Sequence, residues 1–222
     1  MDRYIIFDMD GVLVDSEPFH FKVLKAVMNS LSIEFSKSYH DTLVGTANKP
    51  MWEKLIRDFD IPHSLEAMQS GHKDMFYRML EGELLQPTPG IHDLLQRIRE
   101  SGYGLSVASS SPKKLISLVM DQLGIGDYFD HLVSGEELER SKPFPDIFLK
   151  VASLYAEDTD KFLVIEDSRN GVHAAKAAEM HCIGYYNPNS GNQDLSKADL
   201  IIDDFDVLTG ARINEIFTDG KS

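Results

Sequence analysis

The stretch that most constrains this chain is its first strand and the loop that leaves it, Tyr4-Ile5-Ile6-Phe7-Asp8-Met9-Asp10-Gly11-Val12-Leu13-Val14-Asp15. A short apolar run feeds directly into two carboxylates two positions apart, and then a glycine. Such a run reads as a buried strand of an α/β sheet, whose carboxyl end is where open parallel sheets bind their ligands. A lone aspartate there would serve as a helix cap. Two are harder to explain that way, because carboxylates about 4 Å apart repel by roughly 4 kcal/mol at an effective dielectric near 20. A cation or a shared proton is needed to hold them, and that points to chemistry.

The pattern then changes. Phe19, Val23, Leu24, Val27, Met28 and Leu31 form one helical stripe, Pro50-Met51-Trp52 opens a second helix running to about Phe59, and Ser64 caps a third that carries Met68, Met75, Phe76 and Met79 towards Leu80. These methionines and Trp52 read as helix-packing core. No segment between Asp15 and Leu85 has a strand pattern. Beyond the turn-rich Gln86-Pro87-Thr88-Pro89-Gly90, strand and helix alternate. Strands are predicted at Leu105–Ala108, His131–Ser134, Phe162–Ile165, Cys182–Tyr186 and Leu200–Ile202. Helices are predicted at Ile91–Glu100, Lys113–Leu123, Asp146–Tyr155 and Gly171–Ala178. The expected architecture is a Rossmann-like parallel α/β sheet covered by helices, formed by residues 1–14 and 86–222, with a small all-helical cap domain at 15–85 inserted after the first strand.

Further polar groups stand at the exits of later strands. Ser109, with Ser110 and Ser111, precedes a helix start, where hydroxyl and backbone N–H groups form an oxyanion or phosphate site. Lys142 sits in Ser141-Lys142-Pro143-Phe144-Pro145, where prolines hold the loop extended. Glu166-Asp167 ends the strand beginning at Phe162, and as adjacent acids there they have a plainer reading as the cap of the helix from Gly171 onward. Up to four negative charges at one sheet edge call for a hard cation with oxygen ligands, and Mg²⁺ fits because it tolerates few carboxylates plus water and phosphate. Mg²⁺ and Lys142 supply three positive charges, and a proton on Asp10 brings the site near neutrality.

The formal net charge of −14 argues against a nucleic-acid partner or an anionic membrane surface. A phosphorylated substrate would be repelled at long range, so any phosphate site must rest on local positive charge. One cysteine, Cys182, cannot form an internal disulfide and reads as buried structure in a reducing compartment. With no signal-peptide core and no apolar run long enough for a membrane span, a cytoplasmic protein is expected; a monomer is expected too.

Asp8-Met9-Asp10-Gly11-Val12, then Ser109, Lys142-Pro143 and Glu166-Asp167-Ser168, in this order, resemble the haloacid dehalogenase superfamily of phosphotransferases. The helical insertion, Ser141-Lys142-Pro143 and Glu166-Asp167-Ser168-Arg169-Asn170-Gly171 are similar to its β-phosphoglucomutase-like branch. The resemblance covers nearly the whole chain. It implies Asp8 as the nucleophile that becomes an aspartyl phosphate and Asp10 as general acid and then base. It implies Ser109 and Lys142 as holders of the phosphoryl oxygens, with Ser110 and Ser111 as substrate contacts in the same turn. Asp8, Asp167 and the backbone carbonyl of Asp10 would bind Mg²⁺, with Glu166 as a ligand or its supporting partner. An acid two residues after the nucleophile favours phosphotransfer over dehalogenation.

In the resembling mutases a histidine at the cap hinge touches substrate, which makes His20 a candidate, and an arginine after the Gly45 turn grips the unreactive phosphate. Here that stretch is Val44-Gly45-Thr46-Ala47-Asn48-Lys49, with Asn48 at the equivalent place and Lys49 as a point-charge substitute. Asn170 is a further candidate from the loop after Asp167. The implied function is Mg²⁺-dependent hydrolysis of a small phosphate ester, a sugar phosphate by preference, with a phosphosugar mutase as the alternative. A phosphoryl-accepting signalling module is disfavoured, since it needs no insertion of this size.

Overall fold

The computed structural model describes residues 3–46 and 48–219. The chain divides into two compact units, one formed by residues up to Asp15 and from Gln86 onward, the other by Ser16–Leu85.

The first unit is built on a parallel sheet of six strands: β1 (Tyr4–Phe7), β2 (Gly104–Ser109), β3 (His131–Ser134), β4 (Phe162–Glu166), β5 (His181–Tyr185) and β6 (Leu200–Ile202). Their order in space is β3-β2-β1-β4-β5-β6. Ile5, Ile6 and Phe7 of β1 and Phe162 to Val164 of β4 are wholly buried, as expected of strands covered on both faces. One layer of the core gathers Ile6, Val164, Phe148, Val151 and Val172, the last three carried by helices α7 (Asp146–Tyr155) and α8 (Arg169–Ala177). The remaining helices of this unit are α5 (Ile91–Glu100), α6 (Lys113–Leu123) and α9 (Gly210–Asp219). Strand order reverses at β1, between β2 and β4, which is where such sheets open a ligand crevice. Cys182 is fully buried in β5, and burial pushes its thiol up, as befits a structural cysteine.

The second unit is all helical among the described residues: α1 (Glu17–Ser30), α2 (Lys37–Asp41), α3 (Asn48–Asp58) and α4 (Leu65–Leu80). Its core is Leu24, Met28, Phe35, Trp52, Leu55 and Met68 with their neighbours. Trp52 is wholly buried, as the helical stripe predicts. Ser64 caps α4 by accepting from the Ala67 N–H at 3.2 Å, a contact that stabilises a helix start by about 1 kcal/mol.

Two short elements escape the sequence reading. Helix α2 has five residues, too few for a periodic stripe, although Ser36 caps it. Helix α9 buries Ile213, Ile216 and Phe217, a stripe that is present in the sequence. Helix α3 begins at Asn48, two residues before the Pro50 start expected, so Asn48 opens a helix instead of lying in a loop. No helix among the described residues is long and apolar enough to cross a membrane.

Candidate active site

The parallel register of β1 and β4 pairs Phe7 with Ile165, so the residues that follow, Asp8 and Glu166, emerge side by side. The Asp8 N–H donates to the Ile165 carbonyl at 3.0 Å and prolongs the ladder by one step. Asp8, Glu166 and Asp167 are all buried, and one oxygen of each lies within 4.8 Å of the others.

Lys142 closes this cluster. Its ammonium donates to Asp8 Oδ1 at 2.5 Å, to Glu166 Oε1 at 2.7 Å and to the Ala108 carbonyl at 3.1 Å, which uses all three of its hydrogens. Burial opposes the lysine's charge, yet the Asp8 and Glu166 carboxylates outweigh it and hold the ammonium above its usual range. Asp8 moves the other way from most paired carboxylates. Burial, reinforced by Glu166 and Asp10, pushes it up to about 7 in spite of Lys142. Asp167 is raised well above the ordinary carboxylate value, again first by burial and then by Glu166 and Asp8. Three buried acids against one lysine leave an excess of negative charge.

The backbone is shaped to admit these acids. Gly11 has φ +82°, and a Cβ there would stand 1.9 Å from Asp167 Oδ2. A Cβ at Gly171 would stand 1.7 Å from Glu166 Oε1. Glu166 Oε2 accepts from both the N–H and the hydroxyl of Ser168 at 2.9 Å, and Ser168 Oγ in turn caps α8 by accepting from the Gly171 N–H at 3.0 Å. The cap of α8 is thus Ser168, which frees Glu166 and Asp167 from the capping role that adjacent acids before a helix suggest. Neither Asp8 nor Asp10 caps a helix either, since Gly11 to Leu13 form a turn and Asp10 pairs with Val14.

The Asp10 carboxylate is not part of the three-acid cluster. Its Oδ2 accepts from the Ser111 hydroxyl at 3.0 Å. Ser109 is buried at the end of β2, and its Oγ accepts from the Ser111 N–H at 3.0 Å, so the serines form a turn of their own while α6 starts at Lys113, after Pro112 at the cap position, with no side-chain cap. Ser134 Oγ donates to the Ser111 carbonyl at 2.7 Å and steadies that turn from β3. Ser110 is exposed, and Asn170 lies exposed in the first turn of α8 with no hydrogen bond to the acids.

Two residues of the site were not anticipated from sequence, both in the loop after β5. Asn187, buried, donates from Nδ2 to the Gly11 carbonyl at 2.9 Å, and Ser190 Oγ hydrogen-bonds to Asp167 Oδ2. The run Asn187-Pro188-Asn189-Ser190-Gly191 at a strand exit was the available signal.

A family model described as haloacid dehalogenase-like hydrolase matches residues 5–185, which includes every acid of this cluster and Lys142. The chain belongs to the haloacid dehalogenase-like hydrolases. This haloacid dehalogenase-like hydrolase is 32% identical over 174 residues to a phosphorylated carbohydrates phosphatase of Thermotoga maritima, covering 78% of this chain and 80% of that protein. It is 31% identical over 198 residues to hexitol phosphatase B of Escherichia coli K12, covering 84% and 85%. Among solved structures, β-phosphoglucomutase from Clostridium difficile superposes with a TM-score of 0.78 at 23% identity, covering 99% of each chain, a likeness of fold.

The helical unit of this haloacid dehalogenase-like hydrolase holds the two remaining candidates. The His20 ring on α1 lies 5.4 Å from the Phe76 ring, and Asn48 accepts from Gln69 Nε2 at 2.7 Å. Both line a pocket wholly inside that unit. Lys49 does not line it. Its side chain is 69% exposed and its ammonium is 4.0 Å from Glu53.

Proposed function

We propose that the protein is a Mg²⁺-dependent phosphatase of small phosphorylated carbohydrates, acting through an aspartyl phosphate on Asp8, with residues 15–85 as its inserted cap domain. The observation that carries this reading is the Lys142 ammonium held between Asp8 and Glu166, with Asp167 beside them. The relatives named phosphatases of phosphorylated carbohydrates and of hexitol phosphates support the reaction and the substrate class. In this reading the enzyme works in the cytoplasm as a monomer on a diffusible small phosphate ester, with no nucleic-acid or membrane partner.

The donor set fits a hard divalent cation. It consists of carboxylate oxygens, it carries excess negative charge, and glycines at 11 and 171 let the backbone pass close to the Asp167 and Glu166 carboxylates where a Cβ would collide with them. Asp8, Asp167 and the Asp10 carbonyl would hold Mg²⁺, with Glu166 fixed by Lys142 and Ser168 as ligand or support. When bound, the ion neutralises the acids and draws charge from a phosphoryl oxygen.

A carboxylate oxygen of Asp8 attacks phosphorus, the bond to the sugar oxygen breaks, and Asp10 gives that oxygen its proton. Asp10 then takes a proton from water, whose oxygen attacks the phosphorus of the aspartyl phosphate and returns Asp8 and inorganic phosphate. Ser111 orients Asp10 from the serine turn. Ser109, already an acceptor from the Ser111 N–H, has its own hydroxyl hydrogen to offer the phosphoryl oxygens, as does the amide of Ser110. Lys142 neutralises charge that builds there. His20, Asn48 and Asn170 are proposed as contacts to the rest of the substrate.

The test is phosphate release from a panel of phosphorylated sugars and sugar alcohols, with and without Mg²⁺. The phosphatase reading requires steady release that needs the metal and Asp8. The mutase alternative would instead isomerise a sugar 1-phosphate without net release, given a trace of bisphosphate. It is disfavoured because Lys49, the available substitute for a phosphate-gripping arginine, is turned to solvent and Glu53.

A further inference from the structure

A cavity of about 520 Å³ lies in the α/β unit, where the loops after β5 and β6 meet the segment that follows Gln86. Every residue lining it belongs to that unit. Asp15, Asp203, Asp204 and Asp206 are among its walls, and no lysine or arginine is. Arg97 reaches one of these acids, Asp206, at 3.5 Å, and Asp204 Oδ1 accepts from the Asp206 N–H at 2.8 Å. The Tyr185 hydroxyl, in the same wall, is raised first by burial and then by Asp15, Asp204 and Asp203, so three of the carboxylates act on one space.

Surface acids are commonly just solvated, so the carboxylates alone carry little. Two buried atoms carry more. Thr88 lines the cavity, is 2% exposed, and its Oγ1 is buried with no hydrogen-bond partner among the described residues. Asp15 Oδ2 accepts from Asn189 Nδ2 at 2.7 Å, whereas its Oδ1 is buried and has none. A buried polar atom left unpaired costs about 1–3 kcal/mol, so each of these calls for a ligand atom. A carboxylate oxygen only accepts, so the group opposite Asp15 must donate, and acids on every side favour a donor with positive charge. A bare metal ion needs several oxygens converging at roughly 2.0–2.6 Å. Among the described residues, three acids come within 4.8 Å of one another at Asp8, Glu166 and Asp167, and not here. These acids are spread around the cavity, which suits a ligand whose cationic groups are separated. Pro89, Pro188 and the Tyr185 ring supply apolar wall for the methylenes between them.

We propose that this cavity binds a small organic cation with two or more amino groups, whose ammonium hydrogens go to Asp15 Oδ1 and Thr88 Oγ1 and whose further charge faces Asp203 and Asp204. An alkylammonium stays charged at neutral pH, as a lysine does, and brings three hydrogens. The site does not depend on the phosphatase reading. It does touch the same loop. Asn189, which holds Asp15, also donates its N–H to Asn187 Oδ1 at 2.8 Å, and Asn187 holds the Gly11 carbonyl at 2.9 Å. A bound amine therefore steadies the loop between Asp8 and Asp15.

The experiment titrates putrescine, a diamine, into the ¹⁵N-labelled protein at saturating MgCl₂ and about 150 mM NaCl, so that the Asp8 cluster is filled and diffuse attraction is screened. The amides of Thr88, Tyr185 and Asn189 should shift, with a Kd of about 1 mM or below, and n-butylamine should bind at least about fivefold more weakly. Putrescine should also raise the urea midpoint with concentration, by mass action. Asp15→Asn, which puts an amide where the orphaned acceptor stands, and Thr88→Val should each weaken putrescine binding about tenfold, and Asp203→Asn should weaken it measurably. Asp127→Asn, at an exposed acid in the short turn after α6, removes the same charge and should change nothing. Without amine, Thr88→Val should be as stable as the wild type, because it deletes a hydroxyl that has no partner. Silence at those three amides, equal binding of mono- and diamine, an Asp127→Asn loss as large as the others, or a Thr88→Val protein unstable without ligand would overturn the proposal. So would the same shifts produced by raising MgCl₂ or NaCl alone, which would make this a site for an inorganic ion. The wild-type shifts decide the matter even if a variant fails to fold.

Discussion

The Lys142 ammonium lies 2.5 Å from Asp8 Oδ1, although 134 residues separate the two in the chain. The same ammonium reaches Glu166 at 2.7 Å, so one buried cation ties the exits of β1 and β4 together. Removing it by Lys142→Ala strands like charges in a buried cluster. The expected cost is about 3 kcal/mol or more of unfolding free energy in EDTA, and less in millimolar Mg²⁺. Urea titrations with and without the metal measure both, and equal stability of the two proteins in EDTA would contradict this account of the cluster.

Asp8→Asn keeps the shape of the side chain and removes the nucleophile. Phosphate release should fall by at least about 10³-fold while the circular dichroism spectrum is retained. Asp10→Asn should behave differently, because a leaving group that departs easily needs no acid. Its loss on a sugar phosphate should be roughly 10²- to 10⁴-fold and clearly smaller on p-nitrophenyl phosphate. Equal losses on both esters would remove Asp10 from the role of acid.

The raised Asp8 carboxyl, at about 7, makes the stability of the metal-free protein depend on pH. A carboxyl that holds its proton more tightly folded than unfolded stabilises the fold at low pH. That contribution drains away as pH climbs from the unfolded value near 4 through the folded one. Lys142 stays charged in both states over this window and adds no slope. In EDTA, the urea midpoint should therefore fall between pH 4.5 and 7.5, and Asp8→Asn, which does not titrate, should show a flatter profile. Mg²⁺ should restore more stability at pH 7.5 than at pH 5, because ligation needs the deprotonated acids.

Gly171 lies where α8 passes the Glu166 carboxylate, and a Cβ there would lie within 2.3 Å of three of that group's atoms. Gly171→Ala should cost roughly 1–3 kcal/mol, the usual range for overpacking, and should weaken Mg²⁺ affinity by displacing Glu166. Denaturant unfolding and metal titration calorimetry are the two checks. A Gly171→Ala protein with unaltered stability would mean that Glu166 moves freely.

Much of the α/β unit is legible in the sequence. The apolar runs at Tyr4–Phe7 and Phe162–Ile165 and the helix Lys113–Leu123 sit where their patterns place them, because strand and helix periods are local properties of the chain. Ser109 and Lys142 are visible as strand-exit or loop residues, though their partners are not. The five residues of α2 are too short to show a period, and the Asn187–Gly11 and Ser190–Asp167 contacts join positions far apart in sequence.

By itself, the sequence determined that acids follow two buried strands, that a lysine is held in a proline-bound loop, and that a helical segment interrupts the alternation of strand and helix. Those are matters of residue type and spacing. Only the tertiary structure decided that β1 lies against β4 with Phe7 opposite Ile165, which puts Asp8, Glu166 and Asp167 within reach of one cation and of Lys142. Strand order and register are settled by how buried faces pack across the whole sheet. For the same reason, the charge balance of the site exists only once those distant residues share one water-poor space.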